Sequence, residues 1–214
     1  MGQKVNPMIL RLGPNLAWKS RWFEDKKYKE TLLEDHKIRK SLMERLKNAG
    51  ISSIEIERSI NSIKITAYVS KPGMVIGRGG TGLEELKVFL VKLLDRKQIK
   101  NQLKIDLQVE PIKEPNLDAY LVAKNISDQL IRRLPAKRVM KSTVERVMGS
   151  GAKGVGIVLS GRIGGAEISR REKLQVGTVP LSTIRENIDY ASSPALTKKG
   201  YIGVKVWINR GTES

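Results

Sequence analysis

"VIGRGGTG", residues 75–82, sets four glycines and one arginine immediately ahead of a segment with helical spacing. A loop so rich in glycine lets the backbone come close to an anion, so it usually serves a phosphate. The phosphate could belong to a dinucleotide, a nucleoside triphosphate or a nucleic-acid backbone. Taken literally, Gly77, Gly79 and Gly82 satisfy G-x-G-x-x-G. A dinucleotide site, however, needs that turn directly after a buried parallel strand, with an acidic residue closing the next strand about 20 residues later. Here the preceding "MVI" is three residues behind Pro72-Gly73, and the candidate acid, Asp95, closes a leucine-striped helix. A triphosphate loop fails as well: no G-x-x-x-x-G-K-[ST] occurs, and "GSGAKG" at 149–154 puts its lysine ahead of the glycine. What remains is a G-x-x-G turn, Gly77 to Gly80, between two helices.

The flanking residues give that turn its context. Upstream, helix formers run from about Tyr28 to Asn48 with Ile38, Leu42, Leu46 and Ala49 at helical spacing, and Gly50 stops them. Two alternating strands follow, one on Ile54 and Ile56, the other on Ile63, Ile65, Ala67 and Val69, with "SIN" at 59–61 as their turn. "PGMVI" suits one helical turn opened by Pro72. Downstream, Leu83, Leu86, Leu90, Leu93 and Leu94 mark one helix face as far as about Asp95, and Leu103, Ile105, Leu107 and Val109 alternate as a third strand. The order helix, strand, strand, short helix, loop, helix, strand is that of a type II KH domain, whose loop clamps the backbone of about four single-stranded nucleotides. Gly77, Arg78, Gly79 and Gly80 are then the RNA-binding residues: glycines for close approach, Arg78 for charge, and the following helix for free N–H groups. The competing reading is a plain helix–turn with glycine caps.

"PIKEPN", residues 111–116, holds two prolines and marks a boundary. The expected organisation is a basic arm over 1–24, a KH domain over 25–111 and a second domain over 112–214. The fold class is α+β: a three-stranded mixed sheet with helices on one face, then two helices and a small β-sheet. In the second domain Ala119, Val122, Ile126 and Leu130 set one helix, and another runs from about Ala136 to Met148. Val155, Ile157 and Leu159 alternate, as do Ile202, Val204, Val206 and Ile208. In the arm, Trp18, Trp22 and Phe23 lie among basic residues, a mixture that either stacks bases or packs the arm on the body.

Charge points the same way. Forty Lys and Arg against 22 Asp and Glu leave +18 on 23.9 kDa, a self-repulsion that a polyanion would relieve. No apolar run approaches the roughly 18 residues of a membrane span. "MILRL" is too short for a signal peptide, and the myristoylation pattern after Gly2 needs Ser or Thr where Asn6 stands, so no membrane partner is expected. With no cysteine and a single histidine, His36, in the charged run "EDHKIRK", no metal, cofactor or catalytic residue is expected. An enzyme lacks both a nucleophile–base pair and an acidic metal cluster. A free-standing KH regulator remains as the alternative binding class, although the arm and the "SGRIGGAEISR" region add basic surface beyond one tetranucleotide clamp.

Longer blocks carry a family resemblance. "GQKVNP" at 2–7, "RLG" at 11–13, "SRWF" at 20–23, "AGISSIEIER" at 49–58, "VIGRGG" at 75–80, "LVAKNISDQLIRR" at 121–133, "SGRIGGAEISR" at 160–170, "VPLSTIRENIDY" at 179–190 and "YIGVKVWINRG" at 201–211 closely resemble the ribosomal protein S three family of the bacterial small subunit. The resemblance covers the whole chain. It implies a protein of the small-subunit head on a cytoplasmic or organellar ribosome, binding small-subunit rRNA, neighbouring head proteins and messenger RNA where the message enters. It also implies that Lys137, Arg138 and Lys141 form a basic patch that helps separate paired messenger. Departures are Gly79, where many members have lysine, and "RREK" at 170–173 in place of a commoner Thr and Trp pair. Lys4, Arg11, Arg162, Arg170 and Arg171 are the further candidates for rRNA or neighbour contact. For Gly161–Arg171 the competing reading is an ordinary hairpin turn with flanking charges, and for the patch an ordinary basic surface.

Overall fold

The computed structural model describes residues 4–60, 62–94 and 104–211. Asn61 of the expected hairpin turn, the helix-closing Asp95 and Leu103 of the third strand lie outside them. The chain divides into two compact units, Trp18–Lys113 and Met1–Ala17 with Glu114–Ser214. The expected arm therefore does not stand as one piece: its first part belongs with the C-terminal residues and its last part with the KH residues.

In the unit Trp18–Lys113, helix α1 (Tyr28–Arg45) buries Ile38 and Leu42, and Gly50, at φ 70°, ends the turn that follows it. Strands β2 (Ile51–Ser59) and β3 (Ser62–Val69) pair antiparallel with Ile56 opposite Ile65. Strand β4 (Lys104–Pro111) joins β3 in parallel, with Leu107 beside Ile65. That parallel pair needs a crossover, which α2 (Pro72–Ile76), the glycine loop and α3 (Thr81–Leu93) supply. The period-two isoleucines of β2 and β3 meet Ile38 and Leu42 of α1 and Leu86 and Leu90 of α3 in one core. The mixed sheet also gains an edge strand, β1 (Ser20–Arg21), parallel to β2. Its cause is Asp35, only 1% exposed, which accepts bonds from Ser20 Oγ at 2.9 Å, Trp22 Nε1 at 2.8 Å and Arg58 Nε at 2.7 Å. Trp22, its ring 5.3 Å from that of Tyr28 and tilted 52° to it, thus takes the packing role, while Trp18 stays exposed.

In the other unit Asp118 caps α4 (Ala119–Ile131), its Oδ1 accepting from Leu121 N at 3.0 Å. Pro135 separates α4 from α5 (Ala136–Gly149). Four antiparallel strands, β5 (Gly154–Gly161), β6 (Arg170–Gly177), β7 (Asn187–Thr197) and β8 (Gly200–Gly211), lie in the order β6-β5-β8-β7. Val122, Ile126 and Leu130 of α4 and Val139, Val144 and Val147 of α5 pack on Val155, Ile157, Leu159, Val204 and Val206. Val158, Ile188 and Trp207 form a second, smaller cluster with Val179, Leu181 and Tyr190. Among the described residues no helix is long and apolar enough to cross a membrane.

Candidate nucleic-acid interface

The loop between α2 and α3 is shaped by backbone dihedrals that side chains resist. Gly77, Gly79 and Gly80 have φ of 70°, 66° and 83°, in the left-handed region where glycine alone is unstrained. A Cβ on Gly79 or Gly80 would meet nothing within 4 Å, so these two glycines are required by conformation and leave the loop open to solvent. Arg78, between Gly77 and Gly79, is exposed, and Thr81 Oγ1 donates to its carbonyl at 3.1 Å, fixing the turn. The first N–H groups of α3 have no intrahelical acceptor, and the positive end of its dipole lies at the loop. Exposed Met74 and Ile76 flank the loop with apolar surface. A strand of RNA can be held here by its backbone, with bases against Met74 and Ile76.

Gly82 does a different job. A Cβ there would run into the carbonyl oxygen of Val75 and stand 3.1 Å from that of Ile76, so this glycine lets α3 pass tightly beneath α2. The literal G-x-G-x-x-G match therefore combined two loop glycines, Gly77 and Gly79, with one packing glycine, Gly82.

The second cationic element is α5. Its apolar stripe, Val139, Met140, Val144 and Val147, is buried together with Thr143, whose hydroxyl donates to Val139 O, and this turns Lys137, Arg138 and Lys141 together to the opposite, exposed face. Arg132 and Arg133 are exposed just before it. Arg146 instead bends back over its own helix, 3.4 Å from Ser142 O and from Thr143 Oγ1.

The five remaining candidates divide. Lys4 and Arg171 are exposed. Arg162 is half-buried with Nε donating to Ala166 O at 2.8 Å, and Arg170 Nε is 3.2 Å from Glu172. Arg11 must be corrected. Expected as an RNA or neighbour contact, it is fully buried, and its guanidinium donates to the carbonyls of Glu186 and Thr183 at 2.7 Å and Pro7 at 2.8 Å, with longer contacts to Pro180 and Leu181. The loop from 180 to 186 turns its carbonyls inward and needs a planar, multi-donor cation at its centre, so Arg11 is a structural staple. Burial lowers its pKa from the ordinary value, and the Glu186 carboxylate opposes that shift. Sequence reasoning missed this role, and the Asp35 node, because the partners lie far away in the chain; an arginine in a Pro- and Gly-broken arm was the only local sign.

Comparison with known proteins agrees with this architecture. A family model described as "KH domain" matches residues 37–117, and one described as "Ribosomal protein S3, C-terminal domain" matches residues 126–208. Small ribosomal subunit protein uS3 of Finegoldia magna is 51% identical over 212 residues, covering 99% of this chain and 84% of the relative. The chain belongs to the uS3 family. The uS3 protein of Brevibacillus brevis is 47% identical over 211 residues, covering 99% of this chain and 93% of that one. Members of the uS3 family are structural, non-enzymatic proteins of the small ribosomal subunit.

Proposed function

We propose that this chain binds small-subunit rRNA and neighbouring proteins in the head of a cytoplasmic ribosome, and that α5 holds messenger RNA where the message enters. The observation that carries the messenger reading is the geometry of α5: a buried apolar stripe on one face, and Lys137, Arg138 and Lys141 exposed together on the other. Lys137 and Lys141 stand one turn apart, about 6 Å along the helix axis, so the three charges form a compact ridge that attracts phosphates without reading bases. Such a ridge can keep two strands from re-pairing once they part. It acts as a passive wedge, with translocation supplying the energy and no nucleotide hydrolysed by this chain.

The KH loop contributes a second contact, to the backbone of single-stranded RNA. Gly79 supplies close approach but no charge, so Arg78 is the loop's only side-chain cation. The experiment that tests the messenger reading places a photo-crosslinking amino acid at Ser142, exposed beside Lys141, in small subunits programmed with labelled message. Crosslinks to message nucleotides downstream of the decoding position are the expected result. Crosslinks to rRNA alone would overturn it.

A further inference from the structure

In the unit that carries α5, a cleft of about 390 Å³ opens where three turns meet: the α4–α5 junction, the turn after β5 and the β7–β8 turn. Leu130, Leu134 and Ile202 give it apolar lining, while Arg133, Arg162, Lys198 and Lys199 supply four cations. Among the described residues that line it, none is acidic. The cleft is also built rather than incidental. Arg133 has φ 63°, the one left-handed non-glycine residue among those described, which aims the chain from α4 into Pro135. Gly164 and Gly165, at φ 67° and 84°, fold the opposite wall, and a Cβ on Gly165 would lie 3.5 Å from Lys199 Cδ, so the lysine stem closes over that turn.

The chemistry of this lining selects its occupant. An apolar ligand would have no use for four cations, and a simple phosphate site would have no use for a leucine and isoleucine lining. A nucleotide has both parts, a flat base with an apolar face and charged phosphates on either side. The volume lies in the range of roughly 300–1,000 Å³ of small-ligand pockets. We propose that this cleft receives one unpaired nucleotide extruded from an RNA helix, with its base against Leu130, Leu134 and Ile202 and its flanking phosphates held by Arg133, Arg162 and the Lys198–Lys199 turn. The inference deepens the RNA-binding reading and rests on it, but uses none of the α5 ridge residues.

The test measures fluorescence anisotropy of the full chain with a short RNA helix carrying one bulged uridine and with the same helix fully paired. The wild-type chain is expected to prefer the bulged helix by about fivefold or more, the fold-change that removing roughly 40 Å² of apolar surface from water gives. Thr197→Trp fills the cleft without changing its charge and should abolish the preference while leaving affinity for the paired helix within about twofold. Lys198→Ala with Lys199→Ala, both on an exposed turn, should weaken binding to either helix and reduce the log–log salt slope by about 1.4–1.8, the loss of two phosphate contacts. Equal wild-type affinity for the two helices, or a preference that survives in folded Thr197→Trp, would overturn the cleft assignment and leave RNA binding intact. Failure to bind either helix at low salt would overturn the RNA reading itself. Loss of the bulge preference on adding micromolar uridine monophosphate would assign the cleft to free nucleotides and overturn the extruded-nucleotide proposal.

Discussion

Arg11→Lys keeps the positive charge at position 11 and removes the fork, so it separates a structural staple from a phosphate contact. Three of the guanidinium bonds are short, to Glu186 O and Thr183 O at 2.7 Å and Pro7 O at 2.8 Å. A hydrogen bond to a charged group contributes about 1.5–3 kcal/mol net, and burying the cation costs several kcal/mol against that gain. A lysine ammonium on a linear stem satisfies one of the three carbonyls well and leaves the others facing a low-dielectric interior. Losing two such bonds without recovering the cost of burying the charge gives a destabilisation of about 3 kcal/mol. For a domain of roughly 100 residues that lowers the melting temperature by about 10–15 °C. Calorimetry of the full chain is the assay, with RNA affinity measured in parallel at a temperature where both proteins are folded. A large shift in the transition of the unit that holds Arg11, with unchanged RNA affinity, is the expected result. An unshifted melt with weakened RNA binding would refute it and return Arg11 to the set of contact residues.

Two further outcomes follow from the glycine geometry. Arg78→Asp with Gly79→Asp should weaken single-stranded RNA binding most at low salt, with far-ultraviolet circular dichroism unchanged because aspartate enters the left-handed region more readily than most side chains and its strain at position 79 stays within the open loop; equal affinity would remove the loop from the RNA site. Gly82→Ala, which forces a methyl into the Val75 carbonyl, should destabilise the KH unit by about 1–3 kcal/mol in denaturant unfolding, whereas Gly73→Ala, with nothing within 4 Å, should cost nothing; similar midpoints for both would contradict the close packing of α2 on α3.

The KH fold was legible because each step in it has a strong local signal. Ile54 and Ile56 of β2 and Ile63, Ile65, Ala67 and Val69 of β3 alternate, the leucines of α3 keep helical spacing, and a G-x-x-G turn between two helices has few other uses. The strand β7 was not legible. Asp189, Ser192, Ser193 and Pro194 break its alternation, and only its place at the sheet edge makes Pro194 tolerable there. The edge strand β1 is two residues long, too short to show any period, and it exists because Asp35 gathers Ser20 and Trp22 from one part of the chain and Arg58 from another. Site residues follow the same division. Lys137, Arg138 and Lys141 could be placed on one helix face by spacing alone. The positive charge of Arg11 looked identical in sequence to theirs, and only its distant carbonyl partners distinguish a staple from a contact.

If the cationic face of α5 acts on paired messenger, translation time through a stable hairpin must depend on it. Small subunits reconstituted with the chain carrying Lys137→Ala, Arg138→Ala and Lys141→Ala should translate an unstructured message at nearly the wild-type rate and stall longer on the same message with a hairpin placed ahead of the reading frame's midpoint. The substitutions lie on the exposed face and spare the buried stripe, so assembly should be unaffected. Equal rates for mutant and wild-type subunits on both messages would contradict the claim, and equal slowing on both would replace it with a general defect of assembly.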